Sequence, residues 1–174
     1  MVSFKKKGFL PKMYYWLPVI LLFISVLNEF DFNYLDLNYF SFNFPYILIF
    51  FFTLKEFKNF DYFLVFLAGL INDTVIGLPL GISSLSYLLI CLATSYFRQI
   101  TIRPNPAKDW FYFLFVISLI NSINYSILAL FFSYNLILWS YLINTLFTFL
   151  LYLVFITIFK SVSYTHLRAH ETEE

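Results

Sequence analysis

Residues 69–81 read GLINDTVIGLPLG and decide the fold, because they hold three of the four glycines in the chain. Glycine takes positive φ or lets two backbones approach closely, and proline removes a backbone donor. Asp73 places a carboxylate inside this otherwise apolar stretch. We predict that residues 69–81 form the end of one membrane helix, a tight polar turn and the start of the next helix.

The composition predicts an all-α integral membrane protein. Hydrophobic residues make up 61% of the 174 residues, charged residues make up 12%, and the mean hydropathy is +0.78. So little polar surface cannot cover a soluble globule of this size. A spanning helix takes about 20 apolar residues, so the length allows about six spans. We therefore predict one six-helix membrane domain over residues 1–160, with no basic face for nucleic acid.

Six apolar runs support this prediction, at residues 13–27, 39–54, 62–76, 82–97, 110–132 and about 136–159. The second run contains Asn43 and Pro45, and Pro45 either bends it or starts it. Six spans put every Lys and Arg on one side of the membrane, whereas five spans without the second run do not. By the positive-inside rule, both termini are expected in the cytoplasm.

The last residues, 161–174, do not share the composition of the rest of the chain. They look like translated sequencing-adapter read-through, and we interpret them as a non-native, inert tail. Both histidines, His166 and His170, lie there, so we assign them no metal or acid–base role. Cys91 is the single cysteine, which excludes an intramolecular disulfide and a cysteine metal cluster.

Asp73 has two possible roles. As an intramembrane carboxylate, it is a candidate ligand for an ion, a proton or a substrate. The alternative, which we favour, is that Asp73 hydrogen-bonds the turn backbone at the membrane edge, where its charge stays solvated. The apolar runs contain no Lys, Arg or His that could form a proton relay with it.

The fifth run has a polar face, because Ser118, Asn121, Ser122 and Tyr125 recur at i, i+3, i+4 and i+7, while Asn124 lies off this stripe. Asn144 and Thr148 form a shorter pair in the sixth run. Such faces join membrane helices by hydrogen bonds, which is the role we expect. The alternative is a polar cavity that holds a small ligand. We find no catalytic set, metal-spaced cluster or phosphate loop, so we expect neither an enzyme nor a cofactor.

The central stretch resembles the signature of the bacterial rod shape-determining protein MreD family, roughly Gly-Leu-x-x-Asp-x-x-x-Gly-x-Pro-Leu-Gly. The matching residues are Gly69, Leu70, Asp73, Gly77, Pro79, Leu80 and Gly81, continued by Leu85, Ser86, Tyr87 and Leu88. The length, the basic N-terminus and the six-run layout are also similar over residues 1–160.

This resemblance implies a non-enzymatic scaffold of the elongasome in the bacterial inner membrane. The expected partners are an MreC-like bitopic membrane protein, the filament protein MreB, the glycosyltransferase RodA and a class B penicillin-binding transpeptidase. Together they direct lateral peptidoglycan synthesis and maintain rod shape. The family fold is also similar to the substrate-binding component of energy-coupling-factor transporters, so a small-solute-binding subunit is the alternative function.

Overall fold

The structure, a computed structural model, describes residues 9–27, 42–57, 60–101, 105–133 and 138–171, with side chains between residues 16 and 159 of these ranges. The helices are α1 (Phe9–Leu27), α2 (Phe44–Leu54), α3 (Tyr62–Ile76), α4 (Ile82–Ile100), α5 (Pro106–Phe132) and α6 (Leu138–Glu171). The described residues contain no strand, so the all-α prediction is confirmed.

The helix ends follow local chemistry. α3 has the bounds that the apolar run predicts. α5 begins earlier than its apolar run, because the Asn105 side chain accepts a hydrogen bond from Ala107 N at 3.0 Å and Pro106 takes the first helical position. α6 continues through Lys160 to Glu171, so the backbone of residues 161–171 is helical although the sixth apolar run ends at residue 159.

α2 lies at the centre of the bundle. Residues 45–52 are all buried, and α2 packs against α1, α4 and α6. The ring of Phe50 lies 4.9 Å from the ring of Phe113 and 5.6 Å from that of Tyr152. Pro45 sits in the first turn of α2, so it starts this helix and does not bend it. The second run is therefore the core of the fold.

α2 is short and occupies only part of the height of the bundle. At 1.5 Å per residue its 11 residues span about 16 Å. Asn43, just before α2, contacts Asn144 and Thr148, which lie about 9 and 15 Å along α6 from Leu138. At its other end, the ring of Phe51 lies 5.1 Å from that of Phe159. α2 therefore runs parallel to the second half of the apolar part of α6.

Two of the described helices are long and apolar enough to cross a membrane, at Pro106–Phe132 and Leu138–Phe159. Trp16–Leu27, Phe44–Leu54 and Tyr62–Ile76 are apolar but shorter. The prediction of six spans is therefore not confirmed, whereas an association with membranes is supported. Large exposed apolar side chains agree with it, for example Trp16, Ile20 and Ile24 along one face of α1.

Candidate functional site at the α3–α4 corner

Asp73, in the last turn of α3, caps the start of α4. Its Oδ2 accepts a hydrogen bond from Gly81 N at 2.7 Å, and its Oδ1 accepts one from Ser83 N at 2.8 Å. The first N–H groups of a helix have no partner within the helix, and Gly81, at the N-cap position, has no side chain to supply one. The carboxylate of the preceding helix fills this role, and its negative charge suits the positive end of the helix dipole.

The backbone of the same residue ends α3. The Asp73 carbonyl accepts hydrogen bonds from Gly77 N and, at 3.0 Å, from Leu78 N. Gly77 has φ +75°, so the two bonds form the left-handed cap that commonly closes helices. Asp73 thus fixes the end of one helix with its main chain and the start of the next with its side chain.

The three glycines of this stretch have two different roles. Gly77 and Gly81 have φ +75° and +105°, and a Cβ on either would meet open space. They therefore supply backbone conformation. Gly69 is helical, and a Cβ there would lie 2.6 Å from Ser84 N and 2.8 Å from Ser84 Oγ, and would also collide with Ser84 Cα. The close approach of α3 and α4 thus depends on Gly69.

Polar contacts continue along the seam between α3 and α4. Asn72 Nδ2 donates to Ser83 Oγ at 2.9 Å, and Ser84 Oγ donates to the Phe66 carbonyl at 3.1 Å. We did not predict the role of Asn72 from the sequence. The signal that could have identified it is an amide side chain next to Asp73 in an apolar run.

The expected backbone hydrogen bonding of Asp73 is confirmed, but the expectation that its charge stays solvated is wrong. The residue is 0% exposed, because the turn folds its own N–H groups over the carboxylate. Two charge-assisted hydrogen bonds from backbone donors replace the water. Asp73 therefore has the geometry of a structural carboxylate, since each of its oxygens accepts a hydrogen bond from the backbone around the turn.

Apolar side chains cover the outside of this corner. Leu80 is 71% exposed, and Val75, Ile76 and Leu85 are also exposed. Leu70 and Pro79 are half-buried, and the Pro79 carbonyl accepts a hydrogen bond from Ile82 N at 3.3 Å. The corner therefore presents an apolar surface over a buried polar interior.

The predicted polar face of α5 divides into two sides. Asn121 is buried and donates to Thr145 Oγ1 of α6 at 2.7 Å, and the ring of Tyr125 packs edge-on against that of Tyr141 at 5.6 Å. Ser118 and Ser122 are exposed, and Ser122 Oγ donates to the Ser118 carbonyl within the helix at 2.8 Å. Only Asn121 and Tyr125 face α6.

Asn124, which lies off the predicted stripe, joins three helices. Its Nδ2 is 2.7 Å from Ser86 Oγ of α4 and 3.3 Å from the Tyr46 hydroxyl of α2. The predicted pair in α6 contributes to a second group, since Asn144 Oδ1 accepts from Asn43 Nδ2 at 3.1 Å and Thr148 Oγ1 accepts from Asn43 N at 2.9 Å. These amides hold α2 inside the bundle.

Within the described residues, no group of three or more His, Cys, Asp and Glu side chains could hold a metal ion. Cys91 is buried, with its Sγ 3.6 Å from Thr53 Oγ1. The side chains of His166 and His170 lie outside the described residues. The chain matches no protein-family model, no curated protein and no solved structure.

Proposed function

We propose that this protein is a six-span scaffold of the bacterial inner membrane with both termini in the cytoplasm. Lys55 follows the end of α2, Arg98 lies in the last turn of α4 and Lys108 in the first turn of α5. These positions fall at one end of an up-and-down bundle. α2 is enclosed by other helices, so its short length exposes little backbone to lipid.

The scaffold would belong to the elongasome and help to direct lateral peptidoglycan synthesis and rod cell shape. One observation carries this proposal: the residues that resemble the MreD signature act together at the α3–α4 corner. Asp73 forms hydrogen bonds at the end of α3 and at the start of α4. Gly77 and Gly81 take the positive φ angles of the turn, and the missing side chain of Gly69 lets Ser84 pack closely against α3. In this proposal, the motif fixes the shape of the α3–α4 corner so that the outer surface of the corner can bind a partner protein.

The role is non-enzymatic in this proposal. Both Asp73 oxygens accept backbone hydrogen bonds, and the amides of Asn121 and Asn124 bond to side chains of neighbouring helices. These polar groups serve to position helices.

The exposed Leu80 and the apolar side chains beside it form the docking surface for the membrane helix of an MreC-like bitopic protein. MreB, RodA and a class B penicillin-binding transpeptidase join the same assembly.

The test is affinity purification of tagged protein from a rod-shaped bacterial host in mild detergent, with mass spectrometry of bound proteins and small molecules. We expect recovery of an MreC-like protein and of cell-wall synthesis enzymes. L80N changes the tip of the corner without touching a bond of Asp73. L130N is its matched control, because Leu130 is similarly exposed at the far end of α5.

The proposal expects L80N to lose the bitopic partner and L130N to retain it. Equal recovery of the bitopic partner with L80N and L130N would show that the α3–α4 corner is not part of the interface. Recovery of ATPase subunits or of a stoichiometric metabolite in place of cell-wall proteins would overturn the scaffold function and favour a solute-binding subunit of an energy-coupling-factor transporter.

A further inference from the structure

One exposed face of α5 combines a cation with an apolar path. Lys108, Phe111 and Phe115 follow one another at i, i+3 and i+7, so they lie on the same side of the helix. Lys108 is exposed, and the two phenylalanines are 61% and 62% exposed. The face therefore begins with a positive charge at one end of the bundle and continues as hydrocarbon.

This face leads into a shallow groove. The groove has a volume of about 550 Å³, and small side chains at Ser118 and Ser122 lie between the larger Phe115, Leu119 and Ile123. The hydroxyls of Ser122 and Ser126 add little polarity to it, because each donates to the carbonyl one turn earlier in α5. The groove is thus a shallow apolar surface on the same side of α5 as Lys108.

The charge of Lys108 is available for a ligand. Lys108 makes no ion pair with any residue that the structure describes. Glu56, at the same end of the bundle, binds Arg98 with an Oε1 to Nη2 distance of 3.2 Å, Asp61 is exposed before α3, and Asp109 beside Lys108 is buried. A lysine of this kind keeps its ammonium group in the headgroup layer while its stem lies along apolar surface.

We propose that an anionic phospholipid binds along this face of α5. Lys108 contacts the headgroup phosphate, and one acyl chain runs over Phe111 and Phe115 into the groove at Ser118 and Ser122. Because the cation and the hydrocarbon path are continuous, the site favours an amphiphile over a free phosphate. This inference rests on the membrane-spanning part of the proposed function and needs no protein partner.

The test compares phosphatidylglycerol, phosphatidylcholine and glycerol phosphate, each added to the purified full-length protein in neutral detergent and measured by native mass spectrometry. We expect phosphatidylglycerol to bind more tightly than phosphatidylcholine, and glycerol phosphate not to compete. K108Q should lower the affinity for phosphatidylglycerol about fivefold, whereas K108R should retain it. S122F should fill the groove and weaken the binding of both lipids.

Lys55 gives the matched control, since it is exposed at the same end of the bundle but follows the buried helix α2 and lies off the exposed face of α5. K55Q should therefore bind phosphatidylglycerol like the wild type. Equal losses in K55Q and K108Q, equal binding of both lipids to the wild type, or effective competition by glycerol phosphate would each overturn the site. The partner purification described above is a separate readout, so a failure of one proposal does not conceal the other.

Discussion

The α3–α4 corner and the start of α2 are both polar regions inside an apolar bundle, but they use polarity differently. At the corner, Asp73 bonds to main-chain N–H groups only 8 and 10 residues away. At the start of α2, Asn43 and Tyr46 bond to residues of α5 and α6 that are 78 to 105 residues away. The contacts at the corner shape one turn, whereas the contacts around the start of α2 fix distant helices relative to each other.

This difference predicts different sensitivities to mutation. A substitution other than proline leaves the backbone donor in place, so the loss of Asp73 leaves unpaired N–H groups that a second side-chain change does not satisfy. An amide pair can lose both partners together, and the helices then pack without the hydrogen bond. Mutations at the corner should therefore cost more free energy of unfolding than mutations around α2.

The largest effect is expected for D73L. It would leave the part-buried Gly81 N and the buried Ser83 N without partners, and we expect a loss of about 3 to 5 kcal/mol in the free energy of unfolding. The measurement is denaturation of the purified protein in mixed micelles, followed by circular dichroism. D73N keeps the shape and one good acceptor, so its loss should be smaller. Equal stability of D73L and wild type would show that the corner does not depend on this cap.

A somewhat smaller effect is expected for G69A. Its new Cβ would collide with the backbone of Ser84 and force α3 and α4 apart, at a cost of about 2 to 3 kcal/mol. The matched variant is G77A, which meets open space and strains only the left-handed conformation, at about 1 to 2 kcal/mol.

A second substitution separates steric from polar effects at Gly69. S84G removes the Ser84 side chain but leaves its N and Cα atoms, which a Cβ on residue 69 would still meet. We therefore expect that S84G does not rescue G69A. Full rescue in the same unfolding measurement would show that the Ser84 hydroxyl, and not the backbone, limits the approach of the two helices.

The sequence predicted the corner better than the region around α2, because the contacts at the corner are local in the sequence and those around α2 are not. Local contacts appear in the spacing of glycine, proline and aspartate, so the bounds of α3 and the bonding of Asp73 to the turn could be predicted. The neighbours of Asn124 depend on where α2 and α4 lie in the bundle. A helical stripe identifies a polar face but not the helix that it meets, so it did not distinguish Asn121, which bonds to α6, from Ser122, which is exposed.

The central place of α2 could not be read from hydropathy. Asn43 and Pro45 weaken the second run as a lipid-facing span, yet both suit a helix that starts inside a protein core. Pro45 occupies a helix position where its missing N–H is not needed, and Asn43 finds an amide partner on α6. The burial of residues 45–52 depends on the packing of α1, α4 and α6, which no local pattern contains.

The contact between Asn124 of α5 and Ser86 of α4, beside the start of α2, should show moderate coupling. A double-mutant cycle with N124L and S86A is expected to give about 0.6 to 2 kcal/mol, because the hydrogen bond joins α5 to α4 but neither group belongs to a turn. The double variant should lose less than the sum of the single variants. A coupling energy near zero would show that the contact between Asn124 and Ser86 does not stabilise the packing of α5 against α4.

The smallest effect is expected for S122A, which completes the contrast between the two sides of α5. The Ser122 hydroxyl bonds to the Ser118 carbonyl of its own helix and faces outward, so its loss should change the free energy of unfolding by less than about 0.5 kcal/mol. N121A, one residue earlier, should cost about 1 kcal/mol, because it breaks the bond to Thr145 of α6. Equal losses of unfolding free energy for both variants in the same micelle experiment would show that contact with α6 adds nothing to the contribution of Asn121. A larger loss at Ser122 would mean that its outward face is covered in the folded protein.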